Sequence, residues 1–254
     1  MSILNGFAHL QIPLKDVQSA TNNFLDESLI GQGGFGKIYK GKLFHHEQLI
    51  DIVARKLDGL GSKEFWRVIS MLSSLRHQNL VHFVGFCYEN NEMILVNKYE
   101  ANGSLDRYIG DPITLTWMQR LQIRVGVARA ISYIHYDEAR DFSIVHRNVR
   151  SSKILLDDSW QPKLAGFELS MRSTKAGRDL YLFAQPCGMK GYVDPKYIES
   201  SSVTHKSDVY SFGVVLFEVL CGKRAFMETE GSGLMLSGLV KSHFENGTLD
   251  DTIA

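Results

Sequence analysis

The 254 residues are enough to bury a substantial core in one large domain or two lobes. Lys plus Arg and Asp plus Glu number 28 each, and the resulting zero net charge argues against a nucleic-acid or anionic-membrane surface. The 44% hydrophobic fraction is that of an ordinary globular chain, and Cys87, Cys187 and Cys221 show no metal-ligand spacing, which suits scattered thiols in a reducing compartment.

In chain order, the first segment, "MSILNGFAHLQIPLKD", has no basic start followed by an apolar run, so no signal peptide is expected. Ser2 excludes the glycine that N-myristoylation requires, and no run approaches the roughly 18 apolar residues of a membrane span. Residues 14–24, "LKDVQSATNNF", read as a short amphipathic helix ended by Asn. From Leu29 to about Val53 the pattern is strand-like, with glycine turns between β-branched and aromatic residues. Phe65, Val68, Ile69, Leu72 and Leu75 recur at helical spacing, so "GSKEFWRVISMLSSLRH" is a helix. "LVHFVGFCYENNEMILVNKY" reads as two strands around a turn at Glu89–Glu92.

After "ANGSL" the pattern becomes helical. "LTWMQRLQIRVGVARAISYIHYD" carries a long apolar stripe, and "SDVYSFGVVLFEVLCG" is an apolar, buried helix that Gly222 caps. Strands first and helices later imply two lobes joined near residues 98–103, with a cleft between them.

Gly31, Gly33 and Gly36 form G-x-G-x-x-G, with Gly34 inside it and Ile38 beyond. Glycines let the backbone turn tightly and aim N–H groups at phosphates. The motif lies between two strands rather than opening a helix, which disfavours a dinucleotide site. With "IVHRNVRSSKILLD", "KLAGFELS", "GYVDPKY" and "KSDVYSFGVVLFEVLCG" following in order, the chain resembles the protein kinases. "ATNNF", "LRHQNLVHFVGFCYE" and "ANGSL" make it similar to the cytoplasmic domains of plant receptor-like kinases, from about residue 12 onward.

The resemblance implies an α+β bilobal kinase-like fold: residues 1–28 as an extension with a short helix, 29–97 as a strand-rich N-lobe, 98–103 as a hinge, and 104–254 as a helical C-lobe lacking its last helices. It also implies a site, and that site departs from the family. The phosphate-holding lysine falls at Arg55 counted from Leu57-Asp58, or at Lys56 counted from Ala54; alternation lets only one face the cleft, and Arg55 is favoured. The helix glutamate that pairs with this lysine is Val68. In the catalytic loop His146 and Arg147 match the family, whereas Asn148 replaces the general base and Arg150 the loop lysine. The metal-binding asparagine is Lys153, which has no lone pair to give a metal. Gly166-Phe167-Glu168 stands where active members have D-F-G, so the metal-binding aspartate is absent and Glu168 is the one nearby carboxylate. Met189 and Lys196 replace a threonine and a glutamate of the peptide-binding segment.

The packing set survives: Leu72, Phe83, His146 and Phe167 map onto one hydrophobic column, Ile38 and Leu155 onto the column that adenine completes, and Asp208 onto the loop anchor. Asn97 takes the gatekeeper position, and Lys98 and Glu100 offer backbone C=O and N–H to an adenine. The resemblance therefore implies a cytoplasmic pseudokinase that binds other proteins, an active kinase or a receptor among them. No cofactor is required and Mg²⁺ is not expected; ATP binds without metal if Lys153, with Arg55 or Lys56, supplies positive charge there, and does not if Lys153 swings into solvent or blocks the pocket. The rival expectations are a weakly active Ser/Thr kinase using Glu168 and a truncated product without function.

Overall fold

The structure is a computed structural model that describes residues 6–111, 113–174, 181–229 and 232–252; Ser2 and the last two residues lie outside it. The chain divides into two compact units. The first comprises the described residues through Arg76 together with Val81–Tyr99, and the second His77–Leu80 with the described residues from Glu100 onward.

The first unit is built on a five-stranded antiparallel sheet. Its strands are β1 (Leu29–Gly33), β2 (Gly36–His45), β3 (Gln48–Lys56), β4 (Phe83–Glu89) and β5 (Glu92–Lys98), in the order β1-β2-β3-β5-β4. The β4–β5 turn is made by Asn90 and Asn91, both with positive φ (52° and 64°), the conformation that a two-residue hairpin needs and asparagine tolerates. Helix α1 (Leu14–Ala20) lies against β2 and β4. Its Leu14 and Val17 join Ile12, Leu43, Ile52, Ala54, Val84, Cys87, Ile94 and Val96 in one apolar cluster. Residues read as an extension therefore supply part of this unit's core.

Helix α1 ends where its sequence pattern suggests. Its last helical residue is Ala20 with Thr21 as the cap, and Asn22 ends it: Asn22 is left-handed, its N–H donates to Ser19 O at 3.4 Å and the Asn23 N–H to Gln18 O at 2.7 Å. Asn22, Asn23 and Phe24 then take φ of 49°, 57° and 58°, which turns the chain away. Helix α2 (Ser62–Leu72) buries Phe65, Val68, Ile69, Met71 and Leu72 along one face, as the 3.6-residue period requires.

The second unit is helical, with short strands. Helix α3 (Trp117–Tyr136) opens on a reciprocal capping box between Thr116 and Gln119 and buries Ile123, Val127, Ala130, Ile131 and Ile134. Strands β6 (Gly103–Ser104), β8 (Ile154–Leu156) and β9 (Pro162–Leu164) form one small sheet. β7 (Phe142–Val145) pairs with β10 (Met171–Thr174), and β11 (Leu182–Phe183) with β12 (Ser202–Val203). The one-turn helix α4 (Pro195–Ser200) precedes β12. Helix α5 (His205–Cys221) ends at Gly222, whose φ of 63° suits a left-handed cap. Nine of its residues are buried and only Lys206 and Val209 are exposed, in keeping with its apolar pattern. The hairpin β13 (Phe226–Thr229) and β14 (Ser232–Met235) leads into α6 (Leu236–Glu245). All three cysteines are free, and no helix among the described residues is long and apolar enough to cross a membrane.

Candidate functional site

The site residues read from the sequence fall in both units. In the first unit the glycine-rich turn is the β1–β2 hairpin, with Gly31 opposite Ile38 and Gly33 opposite Gly36. Gly36 sits at φ 102°, and a Cβ there would collide with the Lys56 backbone carbonyl. Glycine at 36 is thus required by the fold. At Gly33 and Gly34 a Cβ would meet nothing within 4 Å, so packing gives no reason for glycine at the tip.

Register sets Ile38 opposite Arg55, Val53 opposite Asn97, and Ile52 opposite Lys98. Ile52 and Ala54 point to the α1-covered core, and alternation puts Lys56 on that same face. Lys56 Nζ forms an ion pair with Glu92 at 2.7 Å and lies 5.3 Å from the Phe24 ring. Arg55 shares the other face with Val53. Val68 is fully buried on α2, with an apolar role. The Asn97 side-chain oxygen is buried without a hydrogen-bond donor. The Lys98 N–H donates to His82 O at 2.9 Å and the Tyr99 N–H to Asp51 O at 3.0 Å, so these two donors are spent inside the sheet.

In the second unit the loop after β7 is organised by Asp208, the first-turn acid of α5. Its carboxylate accepts the backbone N–H of His146 at 2.7 Å and of Arg147 at 2.8 Å, and faces His135 Nε2 at 2.8 Å. Burial alone would raise its pKa; the bonds and charges of His135 and His146 outweigh that and hold the carboxyl below its ordinary value. Arg147 adopts φ 66°, and its guanidinium donates to Leu169 O at 3.0 Å, Gln185 O at 2.9 Å and the Tyr197 hydroxyl at 3.1 Å.

The His146 ring stacks edge-on to Phe167 at 4.7 Å. Its Nδ1 accepts the Asn148 N–H at 3.2 Å, leaving Nε2 to donate to Ala165 O at 3.2 Å. Burial pushes its pKa down to about 4, so the ring is neutral at pH 7. Asn148 is buried beside it, and Arg150 is half-buried with its Nε lacking an acceptor. Leu155 is half-buried in β8, opposite Ser104 and Lys163. Glu100, the first residue of this unit's main segment, is buried and its C=O accepts the Gly103 N–H at 3.1 Å.

Lys153 and Gly166 are brought together. The Ala165 N–H donates to Lys153 O at 2.8 Å, which extends the β8–β9 pairing one step beyond Ile154 and Leu164. Gly166 is left-handed, φ 91°, and a Cβ on it would lie 2.6 Å from Lys153 Cδ and 3.0 Å from Cε. The lysine stem thus fills the space that a side chain at 166 would enter. Lys153 is only 9% exposed. Glu168 is buried in the 3₁₀ turn Phe167–Leu169. Its negative charge favours a proton on His146, and the Lys153 ammonium disfavours one. This donor set does not suit a divalent cation: one position has no side chain and the other presents an ammonium. Among the described residues no group of three or more His, Cys, Asp or Glu is placed to hold a metal.

A buried polar chain escaped the sequence reading. The Tyr192 hydroxyl donates to Glu218 Oε1 at 2.7 Å and meets Ser151 Oγ at 3.0 Å, and Glu218 also accepts the Ala225 N–H at 3.0 Å. Burial raises the Glu218 pKa, opposed by the Tyr192, Ser151 and Ala225 bonds. No spacing signal links residues 26 apart, so only the fold reveals the pair.

Residues 25–240 match the family described as protein tyrosine and serine/threonine kinase. Among curated proteins, the chain is 43% identical over 222 residues to the receptor-like protein kinase HERK 1 of Arabidopsis thaliana, covering 85% of this chain and 26% of that protein. It is 43% identical over 216 residues to the receptor-like protein kinase THESEUS 1 of the same plant, covering 83% and 25%. The putative cysteine-rich receptor-like protein kinase 33, also from Arabidopsis thaliana, is 37% identical over 244 residues, covering 94% and 38%. The chain spans about a quarter of the length of the first two of these relatives.

Proposed function

The chain belongs to the protein tyrosine and serine/threonine kinase family, and from that premise we propose that it is a pseudokinase, a binding or allosteric module of plant receptor-like kinase signalling on the cytoplasmic side. The observation that carries this reading is the packing of the Lys153 stem over Gly166. Phosphoryl transfer in this family rests on positioning and on neutralising phosphate charge with a metal. Here one metal position has become space for a lysine and the other has become that lysine.

Two further substitutions support it. Asn148 stands in the general-base position, and an amide has no useful basicity at neutral pH; loss of a general base costs roughly 10²–10⁴-fold in rate. Val68 is committed to the core of the first unit, where it accepts no ion pair. The rival, a weakly active Ser/Thr kinase using Glu168, is disfavoured because that carboxylate is buried in the turn after Phe167. Its partners on this reading are other proteins, a receptor or an active kinase among them.

The nucleotide half of the proposal is ATP without metal. Gly31, Gly33, Gly34 and Gly36 would approach the phosphates, with Arg55 and Lys153 as fixed cations and Lys56 held by Glu92. Ile38 and Leu155 would face the base. Since the sheet spends the Lys98 N–H, an adenine would use the Lys98 C=O and the Glu100 N–H; Asn97 lies one residue before Lys98.

A phosphotransfer assay with Mg²⁺ or Mn²⁺ and a general protein substrate tests the inactivity: no turnover is expected. Turnover abolished by mutating the glycine-rich turn would sink the reading. A thermal shift with ATP should be as large in EDTA as in Mg²⁺. No shift in either condition ends the nucleotide half and leaves the inactivity standing.

A further inference from the structure

Helix α3 is apolar on two sides. One side packs within the second unit, against β7, β9 and α5. The other carries Trp117, Met118, Leu121 and Val125, which are 50%, 61%, 38% and 50% exposed. At about 100° per residue these four fall within an arc of roughly 100°, turned away from the buried Ile123, Val127 and Ile134. The exposed Ala128 extends the same stripe. From Trp117 to Ala128 it runs roughly 16 Å along the helix axis at about 1.5 Å per residue. An ordinary surface helix turns polar residues outward, so this outer stripe is surface without a partner inside the chain.

Charge selects what could cover it. Trp117–Tyr136 contains no Asp or Glu. Arg124 borders the stripe beside Trp117, and Arg129 borders it on the opposite side, beside Met118. Among the described residues neither arginine has an acidic partner. The Arg124 guanidinium lies 4.9 Å from the Trp117 ring centre, its Nε donates to Arg120 O at 3.2 Å, and its Nη2 is buried with no acceptor. Burial and the neighbouring Arg120 charge both weigh against its positive form, a cost that a nearby carboxylate would relieve. A second copy of this helix would add two more arginines to the seam and no acid. A lipid surface would meet only two cations here, on a chain whose net charge is zero. A straight apolar stripe three turns long, flanked by cations, is the complement of an acidic amphipathic helix, whose side-chain ridges pack into its grooves.

We propose that the outer face of α3 is a docking surface for an amphipathic helix of a partner protein, with an apolar stripe bordered by Asp or Glu. The partner's apolar side chains pack on Trp117, Met118, Leu121 and Val125, and its carboxylates pair with Arg124 and Arg129. Trp and Arg are among the groups that concentrate binding energy at protein interfaces. The surface belongs to the second unit alone and does not depend on whether the chain transfers phosphate.

The test is fluorescence anisotropy of a labelled peptide, ELEALLEALEELLE, titrated with the full chain at physiological salt. Its leucines recur at helical spacing between glutamates. Saturable binding is expected, and none when every glutamate of the peptide is replaced by lysine. Met118→Asp with Val125→Asp should weaken binding at least tenfold, and Arg124→Gln with Arg129→Gln at least threefold with a shallower salt dependence. Phe44→Ser, at an exposed apolar residue of the first unit, should leave the affinity within twofold. Should the aspartate pair lose its cooperative melt, Met118→Ser with Val125→Ser replaces it, with the same tenfold loss expected. Absence of saturable binding, equal binding of the lysine peptide, or equal loss with Phe44→Ser overturns the proposal. So does self-association in sedimentation that the aspartate pair abolishes and the peptide does not displace, which assigns the face to a second copy. Binding to phosphatidylserine vesicles that the same pair abolishes, without binding of the peptide, assigns it to lipid and overturns the proposal equally.

Discussion

At the scale of single residues, the decisive contact joins two positions 13 apart in sequence. Lys153 and Gly166 are each readable in the sequence as a lost ligand, but their mutual packing is not. It depends on the β8–β9 pairing continuing past Ile154 and Leu164 through the Ala165 N–H and the Lys153 carbonyl. The contact makes a double-mutant cycle informative. Gly166→Ala places a methyl 2.6 Å from Lys153 Cδ at a φ of 91° and should cost about 1–3 kcal/mol. With Lys153→Ala already present the steric part disappears, so the second loss should be smaller by about 1 kcal/mol in urea unfolding. Strict additivity of the two substitutions would mean that the stem does not fill that space. The Arg55–Lys56 ambiguity shows the same limit: the residues are adjacent, and only the register and the Glu92 ion pair show which face each takes.

At the scale of elements, the glycine-rich hairpin separates two kinds of glycine that look alike in sequence. Gly36→Ala sets a Cβ against the Lys56 carbonyl at a φ of 102° and should cost more than about 3 kcal/mol. Gly33→Ala and Gly34→Ala meet open space and should stay within about 0.5 kcal/mol, so any larger effect on nucleotide binding would belong to the ligand. Chemical denaturation of the three variants checks this ordering. Most long elements were legible: α2 and α3 through their apolar stripes, β4 and β5 through the asparagine turn. Strands β10 to β12 were not, because two to four residues are too few for alternation to register. The end of α1 was legible in Asn22, whose left-handed φ of 49° stops the helix.

At the scale of the whole molecule, buried titratable groups tie stability to pH. His146 is fully buried and its pKa falls to about 4, against 6.5 in an unfolded chain. Between those values the unfolded state binds the proton and the folded state does not. Stability is therefore greatest above pH 6.5 and falls as pH drops toward 4, by about 3 kcal/mol in all at roughly 1.4 kcal/mol per pH unit. Glu218 acts in the opposite sense. Its pKa is raised above 4.5, so it contributes stability as pH falls through its folded value. Asp208, held low, loses its contribution only below 3.8. The urea midpoint should decline from pH 6.5 to 4, and Glu218→Gln should steepen the decline. A midpoint that is flat over this range would contradict the burial of a neutral His146. None of this balance could be read from composition, which gives nine histidines but not which are enclosed.

The lysine stem lying over Gly166 also bears on reversibility. Restoring an acid at 166 first meets the stem, and shortening Lys153 first leaves a hollow beside a glycine. Each single step lowers stability before the pair together could regain a ligand. An acid at 166 is therefore accommodated only together with a shorter residue at 153, so the two positions are sterically coupled.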